Sequence, residues 1–265
     1  MRLLYIIIVS MILFQITALS QYVHTPLIPA KDKIPGWNGF MIGLGQNFQS
    51  GEYYVDCEDC IFDGGVGTGF TLGASYDRKA TDWLKYGIAV MYDYSGIQNA
   101  FSETEQIQFE LENSGIKENI NINFRHTAQS DFHFINFMPY LKFEPWNFFF
   151  FRMGFGGALL LDSRIVHEKE LMQRTVQLSN GAIVTVRIPN SNSDKVTIQD
   201  SQVQEVSNFN LYLMPASGFK IDFSETTYLM TYLQYSLPLN NISEFGKDYK
   251  INQWRIFLEL GFKVH

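Results

Sequence analysis

The last thirteen residues of the chain, Gln253 to His265, alternate between two kinds of side chain. The first set is apolar throughout and consists of Trp254, Ile256, Leu258, Leu260, Phe262 and Val264. The second set contains most of the charge and consists of Arg255, Phe257, Glu259, Gly261, Lys263 and His265. Because successive side chains of a β-strand point to opposite faces, this pattern predicts a strand with one apolar and one polar face. A soluble sheet would bury the apolar face, whereas a membrane barrel would turn it toward lipid.

The first residues have the pattern of a cleaved secretory signal. A basic Met1-Arg2 pair precedes an apolar run from Leu3 to Ile16, and Ala18-Leu19-Ser20 supplies small residues before a cut at Gln21. The alternative is an N-terminal membrane anchor. We predict a signal peptide over residues 1–20, an extended periplasmic lead-in over 21–36, and one barrel domain over 37–265.

Charge and hydropathy argue against two broad classes, nucleic-acid-binding proteins and proteins that cross a membrane with helices. The chain has 20 basic and 27 acidic residues and no basic cluster, which argues against nucleic-acid binding. Beyond the predicted signal, no stretch reaches the roughly 18 consecutive apolar residues of a spanning helix. The mean hydropathy of −0.06 still suits a membrane barrel, because only alternate residues of its strands need be apolar.

Alternation of this kind recurs eight times along the chain. The segments are 37–48, 67–77, 84–95, 132–143, 148–161, 209–221, 228–237 and 253–265. Short turns at 78–83, 144–147 and 222–227 alternate with long loops at 49–66, 96–130, 162–207 and 238–252. Short periplasmic turns and long outer loops are typical of bacterial outer-membrane barrels. We predict an all-β fold, an eight-stranded antiparallel up-and-down transmembrane β-barrel in the bacterial outer membrane.

The charged residues of these segments fall on the face opposite the aromatic and aliphatic one. A lipocalin-like soluble barrel would need the reverse, an apolar interior. Eight strands enclose a space that side chains just fill, so we predict a plugged lumen. Its cross-barrel ion pairs would join Arg152 and Arg255 to Glu259 and Asp93. The predicted lumen polar network is Asp93, Lys142, Arg152, Lys220, Arg255 and Glu259.

The four tryptophans fall at the ends of predicted strands. Trp37, Trp83 and Trp146 lie at the short-turn end, and Trp254 lies at the opposite end. Amphipathic rings concentrate at the two membrane interfaces, so we predict that these four residues form an interface aromatic belt.

Several motifs resemble the small OmpA-type and PorT-type outer-membrane β-barrels. They are His133–Phe143, with a proline inside a strand, the Cys-x-x-Cys loop, the glycine-rich Asp63–Phe70 and the closing strand. The resemblance covers Trp37 to the end of the chain. It implies the barrel fold and, through the PorT-type proteins, a role as an accessory of a secretion system.

Two sequence features could have a redox, metal-binding or phosphate-binding role. Cys57 and Cys60 could form a redox pair, a metal site or a disulfide, and in an exported chain we predict a loop disulfide. The glycine run at 64–69 lacks the Lys-Ser/Thr of a phosphate-binding loop. We expect it to let a strand begin where side chains crowd the lumen.

Three histidines, His126, His133 and His167, fall near the predicted outer rim. Paired with Ser130 or Ser163, a histidine could activate a nucleophile, and with Asp131 it could orient a water molecule. No spacing requires either arrangement. The alternative to a non-enzymatic barrel is therefore a membrane-embedded enzyme that hydrolyses lipid or peptide.

The outer loops contain further strand patterns. Asn180-Gly181 separates two β-prone runs within 175–186, which predicts a hairpin with a two-residue loop. Residues 106–112 and 119–124 also alternate, so we predict stiff hairpins beyond the membrane.

We expect a non-enzymatic barrel with a structural or surface-interaction role through these loops. The expected partners are outer-membrane lipid and an extracellular or periplasmic protein. We expect no nucleic acid, no cofactor and no metal, and a monomeric protein.

Overall fold

The computed structural model describes residues 36–54, 61–110, 117–188, 191 and 193–264. The predicted signal peptide, nearly all of the predicted lead-in, and both cysteines lie outside these residues. None of the described residues belongs to a helix long and apolar enough to cross a membrane.

The described residues form twelve strands. Their bounds are β1 Gly36–Tyr54, β2 Ile61–Asp63, β3 Val66–Lys79, β4 Leu84–Glu110, β5 Lys117–Trp146, β6 Phe149–Leu171, β7 Thr175–Gln177, β8 Ile183–Thr185, β9 Lys195–Ser201, β10 Phe209–Asp222, β11 Thr227–Pro238 and β12 Gly246–Val264.

Eight of these strands close into a ring in the order β1, β3, β4, β5, β6, β10, β11, β12. Every neighbouring pair is antiparallel, and β12 returns to pair with β1 from Gly36↔Val264 to Tyr53↔Gly246, with a register shift between Ser50 and Glu52. The predicted eight-stranded antiparallel barrel is therefore confirmed. The three short connections fall at residues 80–83, 147–148 and 223–226, each within a predicted turn or at its edge.

The outer surface of the ring is an apolar belt. On β12, Ile256 and Leu258 are 54% and 51% exposed, whereas Arg255 and Glu259 are 1% and 0% exposed. The same alternation runs through the other seven strands, which expose Phe40, Leu72, Ile88, Phe137, Phe155, Phe219 and Leu233. A surface of this kind is stable only against lipid, so the barrel spans a membrane.

Three strands continue far beyond the apolar belt, into the long polar segment at 96–130 where the alternation at 106–112 and 119–124 predicted stiff hairpins. Pairing of β4 with β5 runs without interruption from Leu84↔Phe143 to Glu110↔Lys117. β6 follows β5 as far as Phe124↔Leu171, and β9 adds a fourth strand alongside β6. We call this four-stranded extension, residues 97–110, 117–131, 163–171 and 195–201, the projection.

The hairpin predicted within 175–186 is present, but its loop is one residue longer than the Asn-Gly signal predicted. The N–H of Gly181 donates to the carbonyl of Leu178 (2.9 Å), and the N–H of Leu178 donates to the carbonyl of Ala182 (2.8 Å). Gly181 has φ +84°, whereas Asn180 has no positive φ. This is a three-residue loop closed by a left-handed glycine, and the two-residue prediction is wrong.

Residues 172–188 fold back over the inner face of the projection. Val186 and Ile188 pack on an apolar cluster of that face, formed by Ile122, Phe124 and Leu171. At the hairpin loop, the backbone N–H and the hydroxyl of Ser179 both donate to Glu118 (2.8 and 3.0 Å). The segment therefore covers the part of the inner face around Phe124, and among the described residues nothing covers the outer face of β4 and β5.

Candidate functional site: the filled interior and the projection

The interior at the short-turn end holds a buried group of opposite charges. Lys142 pairs with Asp77, to which Tyr140 also donates a hydrogen bond, and both partners of the ion pair are 1% exposed. Lys85 lies 2.8 Å from Glu144, which is also 3.7 Å from Lys142. These groups neutralise one another where little solvent reaches them, since Glu144, the most exposed of them, is 12% exposed.

The middle of the interior is built around Arg152 and Glu259, whose charged groups are 3.4 Å apart and fully buried. Glu259 also accepts hydrogen bonds from Ser75 (2.8 Å) and Tyr232 (3.0 Å). The guanidinium lies over the Tyr232 ring, 4.4 Å from its centroid, and donates to Gln234 (3.0 Å). Each charge is thus held by several partners, although among the described residues the Nε of Arg152 has no hydrogen-bond partner.

A third layer centres on Arg255 and Asp93, which are 3.5 Å apart. Arg255 also donates to Asn47 (2.8 Å). Asp93 accepts hydrogen bonds from Thr71 (2.5 Å) and Gln253 (3.1 Å). Two ion pairs thus cross the interior, Arg152 with Glu259 and Arg255 with Asp93, whereas the sequence named these four charges without assigning the pairs.

One glycine of the run at 64–69 makes room for this layer. Gly69 faces the interior on β3, and a side chain there would collide with the Arg255 guanidinium and with the Tyr94 backbone. This contact is consistent with the expectation that the run accommodates a crowded lumen.

Trp37 differs from the predicted belt because its ring points into the barrel. It packs 5.2 Å from the Tyr228 ring, and the ammonium groups of Lys85 and Lys220 lie 5.6 and 6.0 Å from its centroid. Lys220 also pairs with Asp222 at 2.8 Å. Trp37 lies on the same face of β1 as Met41, and this face points into the barrel. The belt prediction for Trp37 considered only that it lies at the end of a strand, and it is wrong for this residue.

The other three tryptophans face outward. Trp83 and Trp146 are 51% and 60% exposed at the short-turn end, and Trp83 packs edge-on against Phe143 (5.4 Å). Trp254 lies at the opposite end of β12, on the same face as Ile256. These positions are those that interface anchors occupy.

The structure brings two of the three histidines together. His126 on β5 and His167 on β6 lie on the inner face of the projection, with Nδ1 of His126 3.0 Å from Nε2 of His167. Burial lowers the pKa of His126, and burial together with His126 and Lys169 lowers the pKa of His167 to about 4. Both rings are therefore neutral at pH 7. Nε2 of His126 lies 3.3 Å from a carboxylate oxygen of Glu103.

His133 lies elsewhere, on the outer face of the barrel wall, where its Nδ1 is 2.6 Å from the Tyr92 hydroxyl. Asp131 accepts a hydrogen bond from Tyr94 (2.6 Å). Among the described residues, no hydrogen bond joins a histidine to Ser130 or Ser163, so neither suggested nucleophile–base pair is assembled.

Sequence reasoning did not single out Asp77, which pairs with Lys142, or the two carboxylates beside His126, Glu103 and Glu105. Asp77 lies on the predicted interior face of its strand, and that parity was the available signal. Glu103 and Glu105 fall in the segment that was interpreted as a loop, although they alternate in register with Ile107. Continuing the strand pattern past Ser95 would have placed both on the inner face.

On β4 and β5, the outer face of the projection carries mainly neutral hydrogen-bonding side chains, with the exposed Arg125 among them, opposite Ser102. Thr104 donates across it to Asn123 (2.7 Å), and Gln106 and Gln108 stand opposite Asn121 and Asn119. We call its exposed amide side chains the amide face, which consists of Gln106, Gln108, Asn119, Asn121, Asn123 and Gln129.

The ring, its apolar belt and its filled interior together define the kind of molecule. The chain forms an outer-membrane-type β-barrel. No protein-family model matches the chain, and no curated protein matches it.

Several solved outer-membrane barrels resemble it in structure. Ail, the attachment invasion locus protein of Yersinia pestis, is 11% identical, with 86% of this chain and 99% of Ail covered and a TM-score of 0.34. Neisserial surface protein A is 9% identical, with 86% and 97% covered and a TM-score of 0.34. The outer membrane protease OmpT of Escherichia coli is 9% identical, with 91% and 99% covered and a TM-score of 0.30.

Proposed function

We propose that the protein is a sealed, non-enzymatic outer-membrane barrel that holds the projection outside the cell as a recognition surface. The observation that carries this proposal is the unbroken pairing of β4 with β5 out to Glu110↔Lys117. From Tyr94, at the edge of the apolar belt, to Glu110 the strand extends about 50 Å at roughly 3.3 Å per residue. A loop that only closed the barrel mouth would need no paired structure of this length.

The filled interior supports the sealed state. Arg152, Arg255 and Glu259 are each at most 1% exposed and are held by several partners. Opening a water-filled passage would require these charges to separate. We therefore expect no step conductance when the purified protein is reconstituted in planar lipid bilayers, and a large single-channel conductance would refute the sealed barrel.

The amide face suggests the chemistry of the partner. Its amide side chains offer paired donors and acceptors without a large apolar anchor, and the exposed Arg125, two residues after Asn123, adds further donors. Carbohydrate hydroxyl groups have the same neutral, bidirectional hydrogen-bonding capacity. We propose that the amide face contacts polysaccharide, either the glycolipid that surrounds the barrel or a glycan on another surface.

A binding experiment separates these two sources. Vesicles carrying the protein would be tested against purified lipopolysaccharide of the host strain and against an array of foreign glycans. Replacing Gln106, Asn121 and Asn123 by Ala should weaken binding about fivefold per side chain, for roughly 1 kcal/mol per lost hydrogen bond. Gln177→Ala, on the separate hairpin, is the matched control. Equal glycan binding by the triple variant and the unaltered protein would contradict the proposed partner.

The hydrolase alternative has a direct test. Replacing His126, His133 and His167 by Ala should leave lipid A and peptide-cleavage profiles unchanged if the protein is not an enzyme. The secretion-accessory role, the monomeric state and the disulfide between Cys57 and Cys60 stay predictions.

A further inference from the structure

The inner face of the projection gathers three side chains with metal-binding atoms. Glu103 and Glu105 come from β4 and His126 from β5, and one ligand atom from each lies within 4.8 Å of the others. All three belong to the inward-facing set of their strands. The cluster is thus fixed by strand pairing, in which Glu103 stands opposite Phe124 and Glu105 opposite Ile122.

Among the residues that the structure describes, the nitrogen of His126 that faces these carboxylates has no hydrogen-bond partner. His126 is only 2% exposed, and its Nε2 lies 3.3 Å from Glu103 Oε2 without the geometry of a hydrogen bond. A buried ring nitrogen without a partner is uncommon and costly in folded proteins. A cation between the ring and the carboxylates would satisfy it.

The other side of the ring is held in place. Nδ1 of His126 is 3.0 Å from Nε2 of His167, and Phe101 stacks on the ring at 4.8 Å with an interplanar angle of 7°. Metal-binding histidines are commonly oriented by a hydrogen bond to the second ring nitrogen. His167 therefore serves as a positioning residue that leaves Nε2 of His126 free to coordinate.

Within the described part of the chain, Lys169 occupies one of the carboxylates, which also shows that they attract a cation. Its ammonium group pairs with Glu105 and also lies 4.1 Å from the centroid of the Phe124 ring. A divalent ion could replace the ammonium at Glu105, because the Phe124 face gives Lys169 a second favourable contact.

We propose that Glu103, Glu105 and His126 bind a zinc ion, with His167 positioning His126. One imidazole and two carboxylates match the borderline ligand preference of Zn²⁺ and leave a position for water or a partner atom. Calcium and magnesium prefer an all-oxygen shell with more ligands, so they fit this set poorly. The bound ion would join β4 to β5 within the projection, and this proposal does not depend on the proposed glycan contact.

The test uses the full barrel, extracted from membranes without a polyhistidine tag and stripped with EDTA. Titration with ZnCl₂ by calorimetry should give one site, and Co²⁺ should give visible absorption bands of a low-coordinate complex. His126→Asn should abolish both signals, and His167→Asn should weaken binding roughly 10–100-fold, as for other outer-shell partners. Lys169→Gln should tighten binding, because it removes the competing cation.

His133→Asn is the matched control, since His133 lies on the outer wall beside Tyr92 and should leave zinc binding unchanged. Heat-modifiable gel mobility checks that every variant folds. If His126→Asn fails to fold, zinc-dependent NMR shifts of the unaltered protein should appear at residues 103–105 and 126 first. No binding by the unaltered protein, or unchanged binding by a folded His126→Asn variant, would overturn the proposal.

Discussion

The guanidinium of Arg152 lies 3.4 Å from the carboxylate of Glu259, and neither side chain is exposed. Their strands, β6 and β12, are separated in the ring by β10 and β11, so the pair crosses the interior. Taking two charges out of water costs several kcal/mol each, which their attraction repays only with additional hydrogen bonds. The pair therefore fixes the arrangement of the two walls more than it adds net stability.

Breaking this pair should destabilise the barrel strongly. Glu259→Ala leaves Arg152 buried without its counter-charge and should lower the free energy of unfolding by about 3–5 kcal/mol, measured by urea unfolding in lipid vesicles. Glu225→Ala, in an exposed short turn, is the control. The double replacement Arg152→Met with Glu259→Leu should recover most of the loss. A double variant as unstable as Glu259→Ala would contradict the assignment.

Charge on the outer belt should be penalised according to depth. Leu258 is 51% exposed at the middle of β12, so Leu258→Arg should cost about 2–4 kcal/mol in the bilayer. Phe223, in a short turn, is 64% exposed, and Phe223→Arg should cost about 0–1 kcal/mol because its side chain reaches the interface. The same vesicle unfolding assay measures both. Equal costs at the two positions would argue against the membrane placement.

Gly261 should be intolerant of even a methyl group. A Cβ there would overlap the ring of Tyr228, a fully buried side chain packed against β12. Gly261→Ala should therefore destabilise the barrel by about 1–3 kcal/mol, the usual cost of overpacking. Adding Tyr228→Leu should relieve the overlap, and among the described residues the Tyr228 hydroxyl has no hydrogen bond to lose. Failure of the second replacement to restore stability would exclude this contact as the cause.

The carboxyl of Asp200, which pairs with Arg164, should have a pKa below the ordinary range. Two hydrogen bonds of 2.8 Å from Arg164 lower the pKa of Asp200. Because the pKa of Asp200 is lower in the folded state, the ion pair stabilises the attachment of β9 to β6 at pH values above the unfolded pKa near 3.9. This stabilisation is lost as the pH falls through the pKa of the folded state. Carbon-13 NMR titration of Asp200 measures the shift.

Arg164→Gln should return the pKa of Asp200 toward 3.9, and high salt should do so in part because both groups are exposed. An Asp200 pKa that does not respond to this replacement would exclude Arg164 as the cause.

The sequence correctly predicted the ring of eight strands and its inside-out polarity. The side chains of a strand alternate between its two faces, and this does not depend on which strand lies beside it. The alternation within β12 is therefore enough to separate lipid-facing Leu258 from interior Glu259. The same parity rule places Trp37 inside. The belt prediction for this residue used only its position along the strand and was therefore wrong.

The extent of the projection could not be inferred from composition, because a paired strand in water and a loop can both be polar. The alternation at 106–112 and 119–124 predicted stiff hairpins, but only the pairing with β4 shows that β5 runs unbroken from Asn119 into the barrel wall. Similarly, the sequence singled out three histidines as equivalent candidates, but strand register brings only two of them together.

By itself, the sequence determined the fold class, the face of each barrel strand and the charges that the interior must hold, because these depend on local alternation. Only the tertiary structure decided which charges meet, how far the strands stand above the membrane, and that His126 faces Glu103. Those relationships depend on the register between strands distant in the chain, which no local pattern encodes.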